Sequence, residues 1–350
     1  MISSHDPIID AGINELRERL KRSLDEHVPP KSRIAFLEYP YDTNVGNHMM
    51  WLAAMGYFAE RGVDVAYVAH INAYRPDSLR RAVGDGRIVM CGGVGLGTLW
   101  PTHTELKRVV ARDFPHNPIL VLPSTLAFRN RAEQEEVRDV FKHHGNVTVM
   151  ARDAESHRVI QETFREVNAI LVPDAAFFLP HQPRRRPAQR EIGWLARNDH
   201  EGIGYTPPQD VHVYDWAARS FYGPRDFPFS YGLLRMAGVS TRMRNAGLSG
   251  RLEEASNGIA RVLYERVSAE MLRAGNKDFD RAEVLVSDRF HAHILAILRH
   301  QPIVLLADAF GKNRSSYETW THRFPNVHLA STPADALATA LALVQSENES

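Results

Sequence analysis

Apolar residues at Ile13, Leu16, Leu20 and Leu24, spaced by three and four among charged positions, predict an amphipathic helix from about Asp10 to Glu26, which Pro29 and Pro30 end. A short, nearly unbroken apolar run from Arg33 to Glu38 then predicts a buried strand, followed by a polar turn from Tyr41 to Asn47 and a helix from about His48 to Arg61. The alternation recurs. Strands are expected at Val63–Val68, Arg87–Cys91, Pro118–Leu122, Val147–Met150 and Ala169–Val172, with helices at Asp77–Val83 and Thr104–Asp113 among them. Strands that alternate with helices pair in parallel through crossover connections, so residues 1–180 are expected to form one doubly wound α/β domain. Beyond a Pro- and Arg-rich stretch the class repeats: strands at Glu191–Ala196, Glu283–Val286 and Ile303–Leu306, with helices at about Leu252–Arg273, Arg289–Arg299 and Pro333–Gln345. Residues 181–350 are therefore expected to form a second α/β domain.

Within this second half, Gly202–Ser249 mixes Gly, Pro, Arg and aromatic residues without periodicity. Loops of that length are usually functional or disordered, and this one is expected to be an acceptor-side or lid segment carrying Trp216, Tyr222 and Arg225.

A chain of 350 residues is long enough for two cores. With 42 basic and 42 acidic residues the formal charge is zero, so no global field favours nucleic acid or an anionic membrane, and an anion must be held locally. The densest basic run, Arg184-Arg185-Arg186 with Arg190, lies among prolines and reads as a solvated linker, with phosphate binding or membrane contact as the alternative. The single cysteine, Cys91, excludes an intramolecular disulfide and a thiolate-cluster metal site. Its position after Ile88-Val89-Met90 suits a buried thiol. The first residues lack the basic flank and apolar core of a signal peptide, and no uncharged apolar run could span a bilayer. A cytoplasmic location, with room for peripheral contact at the inner face of the membrane, is expected.

In parallel α/β sheets ligands bind outside the carboxyl ends of the strands. Five segments there could carry chemistry. The loop Asp42-Thr43-Asn44-Val45-Gly46-Asn47 opens a helix, where free amides suit an anion or polar ligand; a tight turn capped by Asn47 is the alternative. Gly92-Gly93-Val94-Gly95-Leu96-Gly97 reads as a strand-end loop allowing close approach to a ligand. Its spacing departs from the dinucleotide fingerprint, and Pro101 interrupts the helix that should follow. Arg152 ends the strand Val147–Met150 and could bind a carboxylate or phosphate, or pair with Asp174, while Asp153 should cap the next helix. Ser287-Asp288-Arg289-Phe290-His291 ends an apolar strand and opens an apolar helix; Ser287 or Asp288 can cap it, and Arg289 and His291 can serve an anion and a proton transfer. His293 and His300 read as structural or surface residues. Lys312 lies in a further strand-end loop, facing either the cleft or solvent. No spacing demands a metal.

Taken together, Asn44–Asn47, Gly92–Gly97, Arg152–Ser156, Val172-Pro173-Asp174, Arg197-Asn198-Asp199-His200-Glu201, Ser287–Ile294 and Gly311-Lys312-Asn313 resemble, in order and spacing, the polysaccharide pyruvyl transferase family. The resemblance covers most of the chain. It implies two Rossmann-like doubly wound domains in a glycosyltransferase-B-like arrangement, residues 1–180 on the acceptor side and 181–350 on the donor side. It also implies pyruvyl transfer from phosphoenolpyruvate to a sugar of an exopolysaccharide or its lipid-linked oligosaccharide precursor, forming a ketal, with no cofactor, metal or nucleic acid. In this scheme Arg152, Arg289, Phe290 and Lys312 bind phosphoenolpyruvate and His291 donates the proton, while Asn44, Gly46, Asn47, Gly93 and Gly95 line the site. Two departures stand out: Asn47 replaces the family's Asp, so Asp42 or Asp174 becomes the candidate base, and Val94 and Leu96 interrupt the glycine run. A nucleotide-sugar glycosyltransferase and a non-catalytic sugar-binding subunit are the competing readings.

Overall fold

A computed structural model of the chain describes residues 6–128, 130–199, 201–204, 207–208, 211–216 and 251–349. Helix α1 (Pro7–His27) leads into β1 (Arg33–Leu37), α2 (Val45–Glu60), β2 (Asp64–Ala69), α3 (Pro76–Val83), β3 (Arg87–Met90), β4 (Gly93–Gly97) and α4 (Pro101–Asp113). Then come β5 (Ile119–Ala127), α5 (Arg131–Val137), β6 (Val147–Ala151), α6 (Ala154–Thr163) and β7 (Asn168–Leu171). The remainder comprises β8 (Arg190–Leu195), β9 (His212–Tyr214), α7 (Arg251–Phe279), β10 (Ala282–Ser287), α8 (Phe290–Arg299), β11 (Ile303–Leu306), α9 (Lys312–Ser316), β12 (Val327–Ala330) and α10 (Pro333–Glu349).

The strands form two sheets paired in parallel throughout. The first runs β2-β1-β3-β5-β6-β7, with β4 also paired to β5; the second runs β12-β11-β10-β8-β9. Counted by its own strands, each sheet shows the 2-1-3-4-5 doubly wound order, Rossmann-like in class, extended by one strand in the first. In this order the winding reverses between the first and third strands, and a crevice opens there at the carboxyl ends. These switch points are β1/β3 in one sheet and β8/β10 in the other.

Burial explains why the strands read as continuous apolar runs: all of Ile119–Ala127, Val147–Ala151 and Ile303–Leu306 are buried. Sheets covered by helices on both faces leave no wet face to alternate toward.

Three helices belong to both halves. Leu20 and Leu24 of α1 pack with Trp51 and Phe58 in the first core, whereas Ile9, Ile13 and Leu16 pack with Leu285, Phe290 and Ile297 in the second. Helix α2 is divided in the same way, Met50 and Trp51 facing one core and Val45, Met49 and Ala53 the other. Helix α7 contributes Tyr264, Val267 and Met271 to the first and Leu272 and Phe279 to the second. Each such large side chain, fully buried, contributes about 1.5–3 kcal/mol, so the halves are held by a continuous apolar seam.

Four local expectations change. Gly93–Gly97 is a strand, not a loop: β3 pairs with the first half of β5 and β4 with the second, through Ile88↔Ile119 and Gly97↔Ala127. Pro101 opens α4 as its first residue, where a missing N–H costs nothing. Asn44, not Asn47, caps α2, accepting from Gly46 N at 3.2 Å. Neither Ser287 nor Asp288 caps α8; Arg289 holds that position without a side-chain cap, and Ser287 Oγ accepts from Arg289 N at 3.0 Å. Of the irregular stretch, residues 217–250 lie outside the described residues, Tyr222 and Arg225 included. Trp216 is not a loop side chain facing acceptor: it is fully buried and stacks on Phe279 at 5.8 Å.

Candidate active site

The loop ending β6 places Arg152 at the carboxyl end of the first sheet, 1 % exposed. Its Nε donates to Thr125 Oγ1 and its Nη1 to Asp174 Oδ2, each at 2.8 Å. The guanidinium lies over the Phe290 ring at 3.8 Å, a cation–π contact strengthened by desolvation. Nη1 also sits 3.5 Å from His291 Nε2, which is in turn 3.5 Å from Asp174 Oδ2. Arg152 and Asp174 come from the first half, Phe290 and His291 from the second. Trp320 Nε1 donates to Arg152 O at 2.9 Å, and Ser315 Oγ to Asp153 Oδ1 at 3.0 Å, so the segment after β11 clamps the same turn. Asp153 caps α6 through Ser156 N.

His291 is pressed against α2. A Cβ on Gly46 would fall 2.4 Å from His291 Nδ1, so only glycine leaves room for the ring at that helix start. Burial is the main force lowering the His291 pKa, with Asp174 opposing and Arg152 and Lys312 adding to the depression. At neutral pH the imidazole is therefore neutral, and an anion placed beside it would raise its pKa. Burial alone would raise the Asp174 carboxyl, but His291 and then Arg152 outweigh it and hold Asp174 well below the ordinary carboxylate range. That makes Asp174 an ion-pair partner and a poor base.

The other cations named by sequence carry their own acids. Arg289, 2 % exposed, donates from Nε to Asp215 and lies 3.6 Å from Asp199. Lys312 is buried, not solvated: Nζ meets Glu201 Oε2 at 2.5 Å and Asp308 Oδ1 at 3.2 Å. Glu201 also accepts from Trp100 Nε1 at 3.0 Å, tying the two halves together. Asp42 is exposed and organises its loop, accepting from Asn44 N and Asn47 Nδ2, each at 2.8 Å. His48 Nε2 must donate to the Asp42 carbonyl at 2.8 Å, leaving Nδ1 to accept from Ser268 Oγ at 2.9 Å. His293 is buried, neither ring nitrogen has a close hydrogen-bond partner among the described residues, and burial pushes its pKa down to about 3. His300 is buried too, its Nε2 3.2 Å from Asp10.

The glycines of β4 and Gly92 just before it admit close approach, but to the protein itself. A Cβ at Gly92 would lie 2.2 Å from Pro123 O, at Gly97 2.7 Å from Ala127 O, and at Gly95 2.9 Å from Lys107 Nζ. Gly93 (φ 107) faces Met50.

Sequence reasoning missed the group behind Gly95. Glu38 follows β1 at the first switch point, in a left-handed conformation (φ 65) rare for a non-glycine residue. Lys107 Nζ reaches its two oxygens at 2.6 and 2.8 Å, and His103 Nδ1 its Oε1 at 3.0 Å. Burial works to raise the Glu38 pKa, yet Lys107 and then His103 bring it below its ordinary value. An ionised carboxylate accepts only, so Nδ1 of His103 carries a proton, and in the neutral imidazole this leaves the lone pair on Nε2. The side chain of His103 is 38 % exposed. The available signals were a charge at the end of an apolar run and a His-Lys pair spaced by four on α4.

The chain matches the family model described as polysaccharide pyruvyl transferase over residues 44–308. It belongs to the polysaccharide pyruvyl transferase family. The matched span holds every residue of the Arg152–Asp174–His291 cluster and the Glu38-facing pair on α4, but not Glu38 or Lys312. Among individual relatives, EpsO of Bacillus subtilis is 25% identical over 90% of this chain and 93% of its own length. Pyruvyl transferase 1 of Schizosaccharomyces pombe is 24% identical over 91% of this chain and 76% of its own. The crystal structure of KP1_0663 from Klebsiella pneumoniae, functionally uncharacterised, aligns with TM-score 0.59 at 15% identity, covering 91% of this chain and 99% of that one; it supports the fold alone. This family membership identifies a transferase for pyruvyl groups whose acceptor is a polysaccharide. Among the described residues no helix is long and apolar enough to cross a membrane.

Proposed function

We propose that this pyruvyl transferase uses phosphoenolpyruvate as donor and a sugar hydroxyl pair, in an exopolysaccharide or its lipid-linked precursor, as acceptor. The observation that carries the reading is the buried Arg152–Asp174–His291 cluster, assembled from both halves at the carboxyl ends of their sheets, with the His291 ring on the first turn of α2. Phosphoenolpyruvate is a compact anion, and a permanently charged guanidinium beside a histidine with depressed pKa suits it: the anion's charge restores the imidazolium that must give up a proton. His291 then protonates the methylene carbon, leaving an oxocarbenium-like centre at the carbon bearing the phosphate. One sugar hydroxyl adds there and loses its proton, phosphate departs with its electron pair, and a second hydroxyl adds and loses its proton to close the ketal. No redox partner is needed for the balance.

His103 is the base we assign to the first hydroxyl, in preference to Asp42 and Asp174. Its Nε2 lone pair is held by the Glu38 contact on Nδ1, whereas Asp174 is held too acidic and Asp42 is engaged by its own loop. Residues 1–180 then form the acceptor side and 181–350 the donor side, facing each other as in glycosyltransferase-B enzymes. Arg289 and Lys312 become available to the donor only by exchanging Asp215 and Glu201 for its phosphate or carboxylate.

Phosphate release from phosphoenolpyruvate in the presence of an aryl glycoside tests the assignment. His291→Ala is expected to lose at least about 10²-fold in kcat, and undiminished turnover overturns it. Thermal stabilisation by uridine or guanosine diphosphate but not by phosphoenolpyruvate would instead establish a nucleotide-sugar glycosyltransferase.

A further inference from the structure

At the amino ends of β8 and β10, the end of the second sheet opposite the active site, a cavity of about 330 Å³ is lined by Arg186, Gln189, Arg190, Lys277, Asp280 and Arg281. The six residues of β10 set the two ends about 20 Å apart at ~3.3 Å per residue. A ligand here cannot touch the Arg152 cluster.

The arginine-rich stretch that reads as a solvated linker is in fact fastened down. Arg184 Nη2 donates to Ala282 O, Arg185 N to Asp280 Oδ1 at 3.3 Å, and Gln189 N and Arg190 N both to Arg281 O at 3.0 Å. These bonds fix where the cations point from. Among the described residues, Arg186, Arg190 and Lys277 have no acidic partner, and Arg281 has only Asp278 at 3.8 Å. The one carboxylate in the wall is already engaged, Asp280 Oδ1 accepting from the buried Arg299 Nη2 at 2.6 Å. In a chain whose 42 acids equal its 42 bases, three cations with no acidic partner among the described residues, beside a fourth with one distant partner, repel one another around one hollow and add little to the fold.

We propose that this cavity is a second, phosphate-recognising site, taking a phosphomonoester or diphosphate group. Guanidinium forks bind phosphate oxygens bidentately, and three arginines with a lysine match the charge of a diphosphate. The volume falls at the lower end of the range for small-ligand sites, about 300–1,000 Å³. A free phosphate compound and the headgroup of an anionic lipid offer the same chemistry, and they differ in how they can be presented.

Calorimetric titration with inorganic pyrophosphate at low salt is the test, made in an Arg152→Gln background to weaken phosphate binding in the active-site cleft, alongside flotation with vesicles of phosphatidylglycerol in phosphatidylcholine. Saturable binding of one equivalent, weakened at least about tenfold by Arg190→Gln/Lys277→Gln, supports the site. If vesicle binding is unaffected by that double substitution, the source is soluble; if vesicle binding falls with it and pyrophosphate competes, the source is the lipid headgroup. Equal pyrophosphate and vesicle binding by the variant and its parent overturns the proposal. The double variant should keep its turnover on a soluble acceptor, in the Arg152-containing protein, and its melting temperature. A marked drop in melting temperature would show that these cations serve the fold, and would overturn it as well.

Discussion

Two glycines on one helix should respond to alanine in opposite ways. At Gly46 the new methyl carbon would stand 2.4, 2.6 and 2.7 Å from Nδ1, Cγ and Cβ of His291. Ordinary carbon contacts begin at about 3.5 Å, so the ring must retreat by about 1 Å. It has nowhere free to go, with Phe290 packed edge-on at 5.1 Å and Arg152 and Asp174 at its Nε2. Overpacking of this kind costs about 1–3 kcal/mol, against which alanine returns at most ~0.5–1 kcal/mol of helix preference. The chemical penalty is larger, because ~1 Å of misplacement can cost about 10²-fold in rate. At Gly56, ten residues further along α2, a Cβ meets nothing within 4 Å. There only the helix preference remains, raising the melting temperature by about 1–4 °C. Scanning calorimetry and kcat/KM for phosphate release from phosphoenolpyruvate, measured on Gly46→Ala and Gly56→Ala side by side, decide the matter. If Gly46→Ala retains parental kcat/KM and gains stability like Gly56→Ala, the packing of α2 on His291 does not position the acid.

The other expectations concern buried charge. Burial pushes the Asp288 carboxyl up to about 6 against the pull of Arg197 and Arg289. Above that pH it is ionised in both folded and unfolded chains and weakens the fold; the penalty fades as pH falls toward the unfolded value, near 4. Asp288→Asn, which can still accept from Arg197 N (2.8 Å), should therefore be more stable than the parent by about 1–3 kcal/mol near pH 7.5, the gap closing near pH 4 in urea titrations. A gap that does not change with pH would contradict this. Lys107→Met removes the main partner of a carboxylate whose side chain is 2% exposed and should cost about 3–5 kcal/mol. Adding Glu38→Gln should restore most of that, and equal unfolding midpoints for single and double variants would show that the pair is not coupled.

How far the chemistry could be read in advance depended on how local its cause was. The Val284–His291 segment combines an apolar strand with a polar end, and that pattern alone located His291 at the carboxyl end of a sheet. Arg152 was equally visible for the same reason. The partner choices were not: whether Arg152 meets a ligand or Asp174 depends on a residue 22 positions away, and Arg289 and Lys312 turn out to be committed to Asp215, Glu201 and Asp308. The glycine run shows the converse error, since a need for close approach is visible in composition, but not what approaches. Here it is Pro123 O, Ala127 O and Lys107.

By itself the sequence determined the α/β class, the alternation of strands and helices and the positions of most strand ends, because periodicity and apolar runs report burial over a few residues. Only the tertiary structure decided that α1, α2 and α7 serve both cores, that Gly46 is the floor under His291, and that Glu38 orients His103. Those contacts join residues far apart in the chain, and no local pattern records which charge will lie beside which. They follow from how two parallel sheets, each reversing its winding at its own switch point, pack across shared helices.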